Sequence, residues 1–344
     1  MNRNRDERDT IFSRMFELKP GTQKYSEYYK AHPALEEGDH LLRSHPPGLF
    51  TERKEQSIID ALFRLIEELR PLAGHSYPEG VESPGSRKFI DKNDPQTEGN
   101  FTDSENFEDA RKLAESLGAV LTGATKAKTE FFYNTRGRGK WYGRKVESVL
   151  PNIFIFAVEM DGHEINRAPA VEEAVEVVKG YYRAANIGLA LKYWMNSLGY
   201  RAVCHMDGES ELILPPVAQA AGLGSQGLSG LLVNGTFGMR IRLAAVTTNM
   251  PLTCTGSSKF NILKYCRTCE KCAVLCPSDA IPEFDTVDPL FGSRIDHEKC
   301  FKTWRELGTD CGVCLAACPF SQKFKQKKGD RKNANPLKAF MYRS

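Results

Sequence analysis

Apolar residues first fall into a regular rhythm at Ile58, Ile59, Leu62, Leu65, Ile66 and Leu69. That helical spacing predicts a helix from Glu55 to Arg70, ended by Pro71. Before it, residues 1–54 are polar with few periodic stretches; Tyr25, Tyr28 and Tyr29 cluster, and His45-Pro-Pro-Gly-Leu-Phe50 forces a turn. Residues 73–100, rich in Gly, Pro, Ser and Asp, read as a long loop or linker. A second helix is predicted over Asp103 to Leu117 with Gly118 as its C-cap, followed by a short strand from Ala119 to Thr122. Asn152 to Met160 is apolar through most of its length, as a strand covered on both faces would be. The longest element is a helix from about Val171 to Leu198. There Val177, Tyr181, Ala184, Gly188, Leu191, Met195 and Leu198 recur at steps of four and three and share one face, and Gly199 stops the helix. A strand from Arg201 to His205, an Asp207-Gly208 turn and a helix around Val217 to Ala221 come next. Leu231 to Val233, Asn234-Gly235 and Arg240 to Thr247 predict a hairpin, because Asn-Gly suits a type I′ turn. Strands alternating with helices from 105 to 248 imply an α/β-type layered core.

The cysteines add chemistry to this picture. Cys266, Cys269, Cys272 and Cys276 stand as C-x2-C-x2-C-x3-C-P, and Cys300, Cys311, Cys314 and Cys318 as C-x10-C-x2-C-x3-C-P. A cubane 4Fe–4S cluster takes a thiolate on each corner. One tight loop wraps three corners, and in the two-cluster ferredoxin pattern the cysteine before proline serves the neighbouring cluster. That pattern assigns Cys266, Cys269, Cys272 and Cys318 to one cluster, and Cys300, Cys311, Cys314 and Cys276 to the other. Structural zinc sites and a disulfide framework are the alternatives, but zinc sites rarely carry two such runs in tandem. Cys204 and Cys254 remain, with the bland expectation of small buried side chains for both.

Composition narrows the class without deciding the function. At 344 residues, 41% hydrophobic and 26% charged, the chain suits a soluble protein of two domains, or one larger domain with an appendage. A net charge of +3 gives no global attraction to nucleic acid, so no nucleic-acid partner is expected. No apolar run reaches membrane-span length. Charges near Met1 have no apolar stretch behind them, so neither a Sec nor a twin-arginine signal is expected; the expected location is the cytoplasm, which the metal-type cysteine spacing also suits. The Gly222-Leu-Gly224-Ser-Gln-Gly227 run matches a dinucleotide fingerprint, yet a helix precedes it and no Asp or Glu lies between Leu231 and Met250. NAD binding is therefore rejected; the glycines permit close backbone approach to something large and flat, or to phosphate. The basic loop from Asn134 to Lys145, with Arg136, Arg138, Trp141 and Tyr142, reads either as a solvated loop or as an anion or substrate contact. Lys323, Lys325, Lys327, Lys328, Arg331 and Lys332 read as a solvated basic tail.

The stretch from Cys300 to Ser321, with Phe-Lys-Thr-Trp after the first cysteine and Thr-Asp-Cys-Gly-Val-Cys within it, resembles the second cluster motif of reductive dehalogenases. Tyr28 to Glu36, the Arg-Gly-Arg loop, Val158-Glu-Met-Asp161, Gly180-Tyr-Tyr-Arg183 and the Ala221–Gly224 segment through Phe237-Gly238 to Leu252 are similar to that family too, in order from about residue 25 to 322. The resemblance implies two 4Fe–4S clusters feeding a corrinoid, cobalamin, buried in the core, with contacts expected from Gly222, Gly224, Gly227, Ser229, Asn234, Gly238 and Arg240. It implies a tyrosine proton donor at Tyr181, which on periodicity alone would be a core residue, with Arg183 in the same motif. A phenol stays protonated at neutral pH and can donate to a developing carbanion. Asp207 stands where relatives place a polar residue beside that tyrosine. It has two open roles: orienting the phenol or, if burial keeps it protonated, acting as the acid. Relatives often carry Arg where this chain has Leu228, so Arg183, Arg136 or Arg138 must substitute or the substrate differs. The nearest approach to the D-x-H-x-x-G motif, Asp161-Gly-His163-Glu-Ile-Asn166, lacks the glycine, so no histidine ligand to cobalt is expected.

These readings combine into an α/β (α+β) protein: a layered cobalamin-binding core with a C-terminal two-cluster ferredoxin-like domain. The expected divisions are a partly irregular N-terminal extension (1–100), the core (101–255), the cluster domain (256–322) and the basic tail (323–344). The expected function is reductive dehalogenation of an organohalide, fed by an external low-potential donor such as ferredoxin or flavodoxin. An enzyme related to epoxyqueuosine reductase, acting on modified tRNA, is the nearest alternative, with Asp207 compatible with a catalytic aspartate. A non-catalytic ferredoxin-type electron carrier is the alternative of another class.

Overall fold

A computed structural model describes residues 6–75, 101–146, 149–257, 261–284 and 295–323. The predicted loop is thus described only up to residue 75, and the basic tail beyond Lys323 lies outside the described residues.

The centre is a four-stranded sheet in the order β1-β2-β6-β3, from Leu121–Lys126, Asn152–Glu159, Ile241–Thr248 and Ala202–His205. Every pairing is antiparallel. Alternating strands and helices had suggested an α/β sheet; the strand directions make it α+β. β2 is buried along nearly its whole length because the sheet is covered on both faces, as its apolar run predicted. Phe154, Phe156, Ala244 and Val246 face α5 (Asp103–Ser116) and α7 (Val171–Ser197) through Ala110, Ala114, Ala184, Ile187 and Leu191. Ile153, Ile155, Ala157 and Ala245 face α8 (Leu214–Ala220) through Val217 and Ala218. The two-residue period of a strand sends alternate side chains into each layer. Burying each large apolar side chain contributes roughly 1.5–3 kcal/mol.

The 27 residues of α7 use more than one face. Ala184, Ile187, Leu191 and Met195 lie on the sheet. Val171, Ala174, Val175 and Val178 meet Ile59, Leu62 and Phe63 of α4 (Gln56–Leu69). Val177 and Tyr181 turn toward the cysteine-rich segment. α5 begins with a capping box in which Thr102 and Glu105 satisfy each other's backbone N–H groups.

The expected hairpin is absent: β5 (Leu232–Val233) pairs with β4 (Ser225–Gln226), while β6 lies between β2 and β3. Asn234 folds the chain differently, its side-chain oxygen accepting from the N–H groups of Thr236 and Phe237 while Gly238 takes φ +61°. The turn is therefore a side-chain-capped loop that hands β6 to the main sheet.

The polar N-terminal region holds α1 (Ile11–Glu17), α2 (Gln23–Ala31) and α3 (Pro33–Arg43), which lack the long apolar stripe that periodicity detects. α1 and α3 meet α11 (His297–Leu307), and α2 packs on α3. Phe12 meets Phe301 edge-on at 5.7 Å, and buried Arg14 bonds Asp39 and reaches Glu298 at 2.6 Å. The cysteine-rich segment also contains α9 (Leu263–Cys269), α10 (Lys271–Val274) and α12 (Val313–Ala317). Of the two cysteines outside the motifs, Cys204 is buried and its thiol is pushed up to about 12 by burial. Cys254 is exposed instead, in the segment that leaves the sheet after Leu252.

Candidate metal centres and proton-donor site

Cys266, Cys269, Cys272 and Cys318 line one cavity with Leu228, Val233, Met239, Ile262 and Phe320. Cys266, Cys269 and Cys272 come from α9 and α10, and Cys318 from the residue after α12. The backbone N–H of Leu228 points at Cys266 sulfur; those of Phe320 and Ser321 point at Cys318. Four sulfurs, apolar walls and N–H donors suit a cubane, so the residues present fit that group. The remaining thiols form a second neighbourhood: Cys314 lies within electrostatic range of Cys311, Cys300 and Cys276, and Cys300 of Cys276. Cys276 sulfur also accepts from the Ala280 N–H at 3.3 Å. Burial, with repulsion from neighbouring thiols, pushes Cys300 up to about 11, and Cys272 and Cys311 to about 12. Bound iron would offset that cost by stabilising the thiolates. Cys272 and Cys314 feel each other across the two groups, so the neighbourhoods adjoin.

Tyr181 packs in the same apolar cluster as Cys266, Cys314 and Cys318. The Arg242 guanidinium stands over its ring, 4.7 Å from the centroid. Arg242 pulls the phenol pKa down, but burial and the negative charges of Asp207 and Asp310 outweigh it, and the net direction is up. Arg242 reaches this position because Gly180 has no side chain; a Cβ there would lie 2.8 Å from Arg242 Cγ. The Arg242 Nε is buried with no hydrogen-bond partner, and the charges acting on the guanidinium include Asp310, Glu173 and Asp207. Asp207 occupies the turn after β3, ion-paired with Arg70 at 3.5 Å.

Arg242 was not among the residues expected from the sequence. Its signal was a lone cation within the apolar strand Ile-Arg-Leu-Ala-Ala-Val. Glu173 was also missed: it is fully buried, and its carboxyl is raised well above the usual range by burial and by Asp310. Gly312 lies at φ +59°, and a Cβ on it would overlap the Glu173 carboxylate. The second cysteine loop thus closes directly over the first turn of α7.

Other expected residues take different places. Arg183 is exposed, bonding Glu176 at 2.7 Å and the Glu159 carbonyl at 2.9 Å, away from the Tyr181 ring. Arg136 is wholly buried, 3.5 Å from both Glu7 and Glu209, while Gly137 N–H bonds Glu7 at 2.6 Å. Arg136 is therefore enclosed by the chain's own carboxylates, while Lys140, Arg144 and Lys145 of the same loop are exposed. Leu228 is fully buried against Cys272 and Ile281.

The glycine-rich segment also approaches the protein itself. A Cβ on Gly224 would overlap the Val233 carbonyl, one on Gly227 would lie 2.9 Å from Val233 Cγ2, and one on Gly238 would overlap Ser321. Gly222 takes φ +85° after α8. Ser229 hydroxyl bonds Met239 sulfur, and Asn234 amide bonds the Leu223 carbonyl. Arg240 bonds the Ser321 and Met160 carbonyls and Glu159. Through Ser321, Gly238 and Arg240 lock the cysteine-rich segment to the sheet.

No protein-family model matches the chain. The tetrachloroethene reductive dehalogenase of Desulfitobacterium hafniense is 32% identical over 197 residues, 53% of this chain and 34% of that protein. Epoxyqueuosine reductase of Atelocyanobacterium thalassa is 26% identical over 151 residues, 39% of this chain and 45% of that protein. The solved structure of the catabolic reductive dehalogenase NpRdhA with 3-bromo-4-hydroxybenzoic acid matches at a TM-score of 0.64 and 23% identity. That match covers 81% of this chain and 39% of the other, and it shows likeness of fold. The chain spans about a third of the length of the first dehalogenase it matches. The resemblance read from the sequence is borne out: the chain is related to reductive dehalogenases, which are oxidoreductases, and also to epoxyqueuosine reductase. Among the described residues no helix is long and apolar enough to cross a membrane.

Proposed function

We propose, taking kinship with reductive dehalogenases as the premise, that this chain passes electrons through two 4Fe–4S clusters to replace the halogen of an organohalide with hydrogen. The observation that carries the proposal is the apolar cluster that Tyr181 shares with Cys266 and Cys318 of one thiol set and Cys314 of the other. Cys266, Cys269, Cys272 and Cys318 would hold one cluster, and Cys300, Cys311, Cys314 and Cys276 the other. Each cluster, when bound, supplies one-electron transfer. The overall change consumes two electrons and one proton, breaks a carbon–halogen bond, forms a carbon–hydrogen bond and releases halide.

Tyr181 supplies the proton from its hydroxyl. Burial and its acidic neighbours keep the phenol protonated, and Arg242 on the ring face holds its orientation. Asp207, fixed by Arg70, takes the orienting role rather than that of the acid. Arg242 stands in for the arginine that relatives carry at the position of Leu228. Cobalamin without a histidine ligand is the cofactor the resemblance implies. An external ferredoxin or flavodoxin is the proposed electron source, and the cytoplasm the proposed location.

Kinship with epoxyqueuosine reductase supports a second reading, reduction of that base in tRNA. Anaerobic assays with reduced methyl viologen separate the two. Halide release from a haloalkene or haloaromatic supports dehalogenation; turnover of epoxyqueuosine in tRNA with no halide release replaces it.

A further inference from the structure

A second buried polar cluster lies apart from the cysteines, where β3, the loop after it and the segment following α4 converge. His75, His205 and Glu211 are all buried, and one ligand atom from each lies within 4.8 Å of the others. We propose that these three side chains bind a divalent transition-metal ion, zinc or one of similar chemistry, in a two-histidine, one-carboxylate site. Nothing in the proposal depends on which substrate the protein reduces.

The ring orientations suit ligation. His75 Nδ1 faces Glu209 Oε1 at 3.2 Å, and its Nε2 is buried with no hydrogen-bond partner. His205 Nε2 lies 3.0 Å from Thr247 Oγ1, and its Nδ1 accepts the Glu211 backbone N–H at 3.3 Å, a bond that an ion at Nδ1 would replace. The Glu209 carboxylate lies behind one imidazole and the Thr247 hydroxyl beside the other, where outer partners of metal-bound histidines stand, and His75 Nε2 is left facing inward with no partner.

Charge makes the same case. Glu211 is buried, and among the described residues it makes no ion pair with a basic side chain. Arg136, the nearby buried cation, lies 3.5 Å from Glu7 and from Glu209, neither of which is a proposed ligand. A cation bound by Glu211 would supply the missing compensation. Two carboxylate or imidazole groups alone rarely make a zinc site, whereas two histidines and a glutamate with one open position form a known ligand set. The ligands come from separate parts of the chain, and Asp207 lies between His205 and Glu211 in sequence. The ion would therefore clip residue 75 to the sheet and brace the turn that holds Asp207 within range of Tyr181.

The test uses the full chain with its iron–sulfur clusters loaded, incubated anaerobically with zinc chloride and then desalted. About one zinc per chain is expected, with a zinc X-ray absorption spectrum of nitrogen and oxygen neighbours and a raised Tm. His75→Ala and Glu211→Gln should each weaken zinc retention roughly tenfold or more without loss of cluster iron. Sulfur neighbours around zinc, no retained zinc, or equal retention in both variants overturns the proposal. The spectrum of the unaltered chain needs no variant, so a poorly folded substitution leaves that decision intact.

Discussion

Arg242 positions the proton donor in the proposed reaction. A desolvated cation over an aromatic ring is worth about 2 kcal/mol, and the ring in question is that of Tyr181. Arg242→Gln should therefore lower halide release about 30-fold, the rate equivalent of that energy. The pH profile should move with it. Arg242 pulls the Tyr181 pKa down, so its removal lets the pKa rise. Because the donor is the protonated phenol, present below its pKa, the alkaline limb should shift to higher pH in the variant; a shift to lower pH contradicts the assignment. Gly180→Ala should give a weaker version of the same defect, since its methyl would press on Arg242 Cγ. Substitution of Arg183, spent on Glu176 and Glu159, should leave the alkaline limb in place.

At the scale of elements, the second cysteine loop and α7 depend on each other through Gly312 and Glu173. Gly312→Ala combines a left-handed backbone with overlap of a buried carboxylate, costs of about 1–2 and 1–3 kcal/mol. Urea unfolding should register the loss, and electron paramagnetic resonance should find the second cluster depleted before the first. The same element scale explains what could be read from the chain in advance. α4, α5, β2 and α7 were legible because their apolar residues repeat at a helix or strand period, and the cysteines because their ligand spacing is local. The hairpin was misread because Asn234-Gly235 has the composition of a type I′ turn, whereas the Asn234 side chain caps a loop that sends β6 to a different partner. Glu173 has no local signal of function, and Arg242 has only that of a lone cation in an apolar strand. Their roles come from contacts with Tyr181 and Gly312, made by residues well separated in sequence.

Across the whole molecule, the polar N-terminal helices act as a brace for the cysteine-rich segment. Arg14, bonded to Asp39 and Glu298, is the joint between them. Arg14→Met would leave Asp39 buried without its cation, a loss of about 3 kcal/mol, and a thermal melt should reveal it. Iron should be lost earlier on heating in that variant, because α11 carries Cys300. In the proposed reaction, electrons from the cysteine loops and a proton from Tyr181 on α7 meet at the substrate. The most direct measurement is anaerobic halide release by the cluster-loaded, cobalamin-supplemented chain and by its Tyr181→Phe variant, using reduced methyl viologen. The expected result is release by the parent and a loss of roughly 10²–10⁴-fold in the variant with iron content unchanged. Equal release by both, or none by the parent while epoxyqueuosine is reduced, contradicts the proposed reaction.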